Sequence, residues 1–484
     1  MKIVIVGAGI NGCATYLHLR KHLPQPPSPS DSHTYTIYEA YDTARTTTFR
    51  ERAVSAVGEE GSTRSATLAV GGGLGLAPNG FSVLRRLDAS IAQDVVSGGH
   101  PYSSFNFRSS YGWSLMRMGQ SANVDGEQIN SVAMSRHNIW QCLRDRIPDD
   151  VFVTKKIERV IPRSGPSGKH LITFKDGSEP VEADLVIGAD GVKSTVKRAV
   201  FDAETPEDDP YPPQYEGFVG VGGFLTVTDK IRRNIPDDAM TLTFGGAGMF
   251  GYCYSSSAPT DKHRDSPLHI SEPGDTIIWW STYGIPDCPE PKDMDGVAIM
   301  KALQKRHGKW SDPVIKHIVN NAKVETMWPT WTTPELPVWD RDGIVLLGDA
   351  AHALPPTSGQ GSGQALEDSE CFPLFLSHYL RKAYEQSEDS KSATALNERD
   401  AINLAAKKHR ELRAPRVNAL LKDAQRRQQA KHKKNVVEEF FMYFILLLVG
   451  FFASSNPSKA VFEYNMAEEV HKVLAEEESV KPEA

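Results

Sequence analysis

MKIVIVGAGINGCATYLHLRK, residues 1–21, opens the chain and decides the fold. Ile3-Val4-Ile5-Val6 is a continuous β-branched run, the pattern of a strand buried on both faces in a parallel sheet. Gly7-Ala8-Gly9-Ile10-Asn11-Gly12 follows at once, and a helical pattern begins with Ala14, Leu17 and Leu19. G-x-G-x-x-G between a strand and a helix is the context in which that motif carries information. Gly7 permits the tight turn and Gly9 lets a pyrophosphate approach the backbone. Gly12 allows close helix–strand packing, with the helix N-terminus facing the phosphate charge.

Such a site also needs an acid at the end of the second strand to hold a ribose hydroxyl. Tyr35-Thr36-Ile37-Tyr38-Glu39 supplies it in Glu39, delayed by the Pro/Ser-rich stretch 24–33. A charged acid there disfavours a 2′-phosphate, so the expected nucleotide is FAD or NAD. A chain starting directly on this strand is expected to leave no room for a secretory signal peptide.

Two later segments repeat the strand–turn–helix grammar. ADLVIGADGVKSTVKRAV (183–200) runs from Leu185-Val186-Ile187 through Asp190-Gly191 into a helix. GIVLLGDAAHALPPTSGQGSGQALEDS (343–369) runs from Ile344 through Gly348-Asp349 and a Pro/Gly-rich bend to a helix near Gly363. Acids at the carboxyl ends of strands lie where open α/β sheets bind ligands. No other G-x-G-x-x-G follows a strand, because GGGLGL (71–76) lacks the third glycine.

Together these segments resemble the class A flavoprotein monooxygenases, the family of p-hydroxybenzoate and salicylate hydroxylase-like enzymes. GGGLGLAPNGFSVLRRLD (71–88) and SRHNIWQCL (135–143) reinforce the likeness, which spans residues 1 to about 385. It implies an α/β fold: a Rossmann-like FAD-binding domain, an inserted, mostly antiparallel substrate sheet, and a C-terminal helical region. The expected ranges are 1–75, 105–200 and 336–385 for FAD, and 76–104 and 201–335 for the sheet domain. Residues 386–484 form the helical region.

The resemblance implies that Gly7, Gly9, Gly12 and Glu39 hold the adenosine end of a tightly bound FAD, and Arg136 its flavin side. It implies that Asp349 binds the ribityl chain, with Pro356, Gly359, Gly361 and Gly363 against the isoalloxazine ring. Asp190 and Gly191 are implied near the pyrophosphate and the transient NAD(P)H. The activity implied is NAD(P)H- and O₂-dependent hydroxylation or epoxidation of an aromatic or polycyclic molecule, through a flavin C4a-hydroperoxide. The alternative is an oxidase or reductase on the same fold without oxygen transfer. No catalytic base can be named, and His352 beside Asp349 reads as structural.

Short runs separated by Gly, Pro and Asp (Gly217 to Val227, Met240 to Phe244, Met249 to Ser255, Thr276 to Tyr283) read as the antiparallel sheet. Its pocket candidates are Phe218, Val221, Phe224, Phe250, Tyr252 and Trp280. Several family members carry an arginine shortly after the Tyr-x-Gly step, but Tyr215-Glu216-Gly217 is followed by none. Trp279 to Pro286 is similar to the flavin halogenase W-x-W-x-I-P segment, yet Ser281 and Tyr283 replace both its tryptophans, so WWSTY reads as a strand.

Composition sets the outer bounds. Of 484 residues 40% are hydrophobic and 24% charged, and a net charge of −7 gives no electrostatic reason to bind nucleic acid. Cys13, Cys142, Cys253, Cys288 and Cys371 are scattered without a C-x-x-C, so neither a disulfide framework nor a metal site is expected, and a reducing compartment, the cytoplasm, fits. Ser387 to Lys434 has helical period, with Pro415 as an expected break or kink and a basic tract at Arg426-Arg427 and Lys431-His432-Lys433-Lys434. FFMYFILLLVGFFA (440–453) then carries no charge. As a helix it spans about 21 Å against about 30 Å of bilayer hydrocarbon. Three readings stay open for it: packing on the flavin lobe, a peripheral membrane contact, or a span.

Overall fold

Ile3 to Val6 forms the central part of a strand, Lys2–Val6, and alternate residues of that strand feed two different cores. Ile5 lies in a buried row with Ile37, Ile187 and Val345, while Val4, Val186 and Ile344 face the opposite side. This is why the run lacks polar alternation. The computed structural model describes residues 1–28, 32–41, 72–165, 167–290, 295–324, 327–388, 396–429, 434–452 and 459–479. All of 42–71 in the expected FAD range, Gly71 included, lies outside the described residues, as do Lys431 to Lys433 and Ala453.

The first sheet has six strands in the order Asp340–Arg341, Ile344–Leu346, Leu185–Gly188, Lys2–Val6, Thr34–Glu39, Phe152–Thr154. All its pairings are parallel except that of the Asp340–Arg341 edge. Helices Ile10–His22, Pro78–Leu87, Arg136–Arg144 and Gly361–Glu388 contribute to the core on one face. A three-stranded antiparallel sheet and helix Thr195–Val200 cover the other.

The second large sheet has seven strands, in the order Trp328–Thr332, Gln214–Thr226, Thr276–Gly284, Gly248–Tyr254, Ala239–Gly245, Ser104–Ser109, Ser114–Gly119. WWSTY lies inside Thr276–Gly284, as a strand. Ser104–Ser109 and Ser114–Gly119 pair with this sheet, although the expected FAD range 105–200 contained all of them but Ser104. Conversely, helices Pro78–Leu87 and Ala89–Ser97, expected with the sheet domain, share the core of the six-stranded sheet.

The C-terminal region departs from expectation in two places. Helix Glu398–Gln429 continues through Pro415 without a break. It is held by a buried ionic cluster: Arg413 donates to Glu367, to Asp368 (2.7 Å) and to the Gln364 side chain (2.7 Å). Arg416 adds two bonds of 2.9 Å to Glu367. All of Glu367, Asp368 and Arg413 are withdrawn from solvent. These contacts fix the helix on both sides of the proline, offsetting the one backbone bond that Pro415 lacks.

Secondly, the apolar run forms helix Val436–Phe452, but it lies along the edge strand Ser114–Gly119 of the large sheet, not on the flavin lobe. Only Glu439 and Tyr443 are buried in it, and Phe441, Phe444 and Phe451 are 63%, 56% and 84% exposed. No helix among the described residues is long and apolar enough to cross a membrane, so the span reading is set aside.

Arg413→Leu leaves two buried carboxylates short of their main partner, a loss of about 3–5 kcal/mol. Urea unfolding followed by far-UV circular dichroism reads this directly, and a loss below about 1 kcal/mol contradicts the role given to the cluster.

Candidate cofactor and substrate site

Three glycine turns meet at the carboxyl ends of the parallel strands. Gly7 has φ 103°, a left-handed conformation open to glycine, and its N–H donates to the Tyr38 carbonyl at 2.8 Å. A side chain at Gly7 would collide with the backbone of Ala189, and one at Gly12 with the Gly7 carbonyl. The Ala189 N–H donates to Val6 (2.8 Å) and the Leu347 N–H to Gly188 (2.9 Å), tying the second and third turns to the first.

Other glycines behave oppositely. A Cβ built on Gly9, Gly191, Gly359 or Gly361 would meet nothing within 4 Å. Bare backbone beside open space, in turns that precede helices Ile10–His22 and Gly361–Glu388, is what a dinucleotide with a flat ring requires. The residues present therefore fit FAD.

Glu39 sits at the end of its strand and accepts the Ala8 N–H at 2.8 Å and the Tyr41 N–H at 3.2 Å. Burial pushes its carboxyl above the usual range, and the N–H donors oppose that shift. It thus braces the glycine turn, and its remaining lone pairs are those available to a ribose. Asp190 is committed locally: it accepts from the Ser194 hydroxyl (2.5 Å) and the Thr195 N–H (2.7 Å), capping helix Thr195–Val200. Burial raises its carboxyl too, against those same bonds. Gly191 beside it has φ 79°.

Arg136 is exposed at the first position of helix Arg136–Arg144, and Ser135 caps that helix by accepting the Asn138 N–H at 3.1 Å. Asp349 is exposed at the start of helix Asp349–His352, and its carboxylate accepts no hydrogen bond among the described residues. Pro356 opens a short 3₁₀ turn that ends at Gly359, φ 62°. Gly363 packs against Gly80 and Asn79, letting helix Gly361–Glu388 approach helix Pro78–Leu87. His352 is structural, as expected: it is buried and pairs with Asp368 at 2.6 Å. Asp368 also accepts the Gly348 N–H at 2.8 Å. Burial alone would raise the Asp368 carboxyl, but His352 and Arg413 hold it well below the usual range.

Several residues that build this site have no signal of their own in the sequence. The Trp140 indole donates to the Ala8 carbonyl at 2.7 Å, anchoring the Arg136 helix to the glycine turn. Asn11 donates to the Ala365 carbonyl at 2.9 Å, joining the first helix to the third segment. Asn79 donates to Gln360 (2.9 Å) and Glu367 (2.6 Å). Its Pro-Asn position was the one visible hint.

The pocket candidates divide by strand parity. Val221, Phe250 and Tyr252 face helices Gly296–His307 and Pro313–Asn321 in a closed core, where Phe250 stacks on Trp279 and the Tyr252 hydroxyl donates to Asp312 at 3.0 Å. They are packing residues, a correction to the expected pocket. Phe224 and Trp280 belong to the opposite face, with Phe218 placed there by register. That face carries Phe107, Met240, Leu242 and Phe244 and meets strand Gly73–Leu76, since a Cβ on Gly73 would strike Ile278. Trp280 pairs with Gly222 on one side and Gly251 on the other. Its indole lies over Gly251, giving a flat aromatic surface between two bare strand positions.

A family model described as an FAD binding domain matches residues 326–406. Salicylate hydroxylase of Pseudomonas putida is 25% identical over 76% of this chain and 75% of its own length. Aurachin C monooxygenase/isomerase of Stigmatella aurantiaca is 26% identical over 64% of this chain and 72% of its own. The crystal structure of Klebsiella pneumoniae HpxO complexed with FAD and uric acid superposes with a TM-score of 0.65, 17% identity and 93% coverage of both chains.

Asp349→Ala removes the one exposed carboxylate at the third turn. Loss of a charged hydrogen bond corresponds to about tenfold to a hundredfold weaker FAD retention. Flavin fluorescence released on dilution measures this, and unchanged retention contradicts a ribityl contact at Asp349.

Proposed function

We propose that this chain, which belongs with the class A FAD-dependent monooxygenases, uses NAD(P)H and O₂ to hydroxylate or epoxidise an aromatic or polycyclic small molecule. The observation that carries the reading is the meeting of three glycine turns bordering open space, with an apolar sheet face that meets strand Gly73–Leu76, the strand leading to Asn79 and its bond to Gln360. Bound FAD supplies hydride acceptance from NAD(P)H and activation of O₂. The chain's own groups bind, orient and exclude water.

Gly9, Gly359 and Gly361 offer bare backbone to the pyrophosphate and the ring, and Glu39 and Asp349 offer carboxylates to the hydroxyls at either end. The N-terminus of helix Gly361–Glu388 presents its positive end to that ring, which favours negative charge there. Trp280, with Phe224 and Leu242 on the same face, gives a planar substrate a stacking surface and keeps water from the reacting atoms. His352 is tied to Asp368, so proton transfer is not assigned to it. The absence of an arginine after Tyr215-Glu216-Gly217 argues against holding a substrate carboxylate from that position.

Five free thiols, with Cys288 exposed, support a reducing compartment such as the cytoplasm. The exposed apolar residues of 440–452 support a peripheral contact of the enzyme with a membrane.

Purified protein is expected to show flavin absorbance and to oxidise NAD(P)H faster in the presence of planar aromatic or polycyclic candidates. Trp280→Ala is expected to abolish that stimulation while leaving the flavin spectrum in place. Protein that neither carries nor takes up FAD contradicts the reading.

A further inference from the structure

Helix Val436–Phe452 exposes apolar side chains over an unusually wide arc. With 3.6 residues per turn, Val436, Val437, Phe440, Phe441, Phe444, Ile445, Leu447, Leu448, Val449, Phe451 and Phe452 sweep about 220° of its circumference. The remaining arc is occupied. Glu439 and Tyr443 are buried on it and bond to Ser110 (3.0 and 3.1 Å), and the Tyr443 hydroxyl donates to the Phe244 carbonyl at 2.8 Å. Gly450 seats on Met116, where a Cβ would come within 3.1 Å of its side chain. The helix is therefore pinned to the large sheet by one narrow stripe and uncovered elsewhere. Tyr111 and Trp113, themselves about half exposed, pack against Phe440 beside it, the first tilted and the second edge-on.

We propose that this helix docks the protein on the surface of an anionic phospholipid bilayer, lying in the interface without crossing it. Its length, about 26 Å, falls short of the hydrocarbon thickness of about 30 Å, and Glu438 and Glu439 stand at its start. The charge of the adjoining sequence fits an anionic surface as well. Between 422 and 439 the sequence holds six basic residues (Lys422, Arg426, Arg427, Lys431, Lys433, Lys434) against three acidic ones, of which Glu439 is buried. Arg426 and Arg427 are exposed at the end of the preceding helix. Lys434, whose N–H is fixed to the Gly246 carbonyl at 3.0 Å, follows within five residues of that helix's end. From Phe440 to Phe452 no charge interrupts the run. Basic residues before the helix, phenylalanines along its exposed arc, and Tyr111 and Trp113 beside it match headgroups, the acyl boundary and the interface respectively.

A second copy of the chain is the rival occupant, and the width of the arc weighs against it. A helix packing on one partner face presents an apolar stripe little wider than about 100°, whereas a lipid surface covers a broader arc at once. Continuity with the substrate face points the same way, a point that rests on the monooxygenase reading. Trp280, Gly251, Leu242, Phe107 and Met116 form one row across the sheet, strand by strand, on a single face. The helix rests on the outer end of that row, at Met116, so a lipid-dissolved substrate would meet apolar surface along the whole length.

The test is flotation of the full-length FAD-loaded protein with phosphatidylcholine vesicles, with and without about one third phosphatidylserine. The wild type is expected to float with the serine-containing vesicles. Phe441→Ser, Phe444→Ser and Phe451→Ser combined should reduce binding by about tenfold or more, and Arg426→Glu with Arg427→Glu should reduce it most at low salt. All the changed side chains are exposed, so far-UV circular dichroism and the flavin spectrum should match the wild type and exclude a folding defect. Wild type that stays at the bottom of the gradient with both vesicle types overturns the proposal. So does a concentration-dependent dimer in sedimentation velocity that the serine variant loses, since that assigns the arc to a second copy. Flotation needs no turnover, so its failure leaves the monooxygenase reading standing.

Discussion

Arg413, buried between Glu367 and Asp368, is the interaction on which the arrangement of the site depends. The two carboxylates sit on helix Gly361–Glu388, whose first turn adjoins the open glycines Gly359 and Gly361. Through Asp368 the same cluster reaches the Gly348 N–H and His352, and through Glu367 it reaches Asn79. One guanidinium from residue 413 thus fixes the third glycine turn, the Pro78–Leu87 helix and the C-terminal helix together. A buried cluster of this kind is weak evidence for net stability but strong evidence for a defined geometry, because removing one member strands the others without water.

Against that fixed base, the glycines divide the work by what surrounds them. Gly7, Gly12 and Gly363 are small because protein backbone or side chains press on them, and Gly9, Gly191, Gly359 and Gly361 border open space. The first group holds three distant stretches of chain at contact distance, and the second leaves room for a ligand. The large sheet makes a similar division: helices seal one face, and the other, bearing Trp280 over Gly251, meets strand Gly73–Leu76.

How much of this was legible in the sequence depended on the range of the interactions. The Lys2–Val6 strand, the glycine turn and Glu39 are a local pattern within forty residues, and the structure places them as read. The Asp-Gly and Gly-Asp segments were legible for the same reason, but not the duty of Asp190 as a helix cap. Choosing among the apolar pocket candidates failed for Val221, Phe250 and Tyr252 because both faces of those strands are apolar. Parity tells which residues share a face, and only the two helices from 296 to 321 tell which face is closed. The Arg413 cluster joins residues about 45 positions apart, and the sequence shows them only as ordinary charges on helical stretches. For the apolar run the sequence located the helix, while its uncovered arc emerged only from the fold.

The central claim is that the site directs one atom of O₂ into a bound planar molecule. The most direct measurement is the product mass after turnover of a stimulating substrate under ¹⁸O₂ with NAD(P)H. The expected product carries one ¹⁸O atom, at near one-to-one stoichiometry with NAD(P)H consumed. Unlabelled product, or NAD(P)H consumption matched entirely by hydrogen peroxide for substrates that bind, would contradict it and make the protein an oxidase or reductase on the same fold.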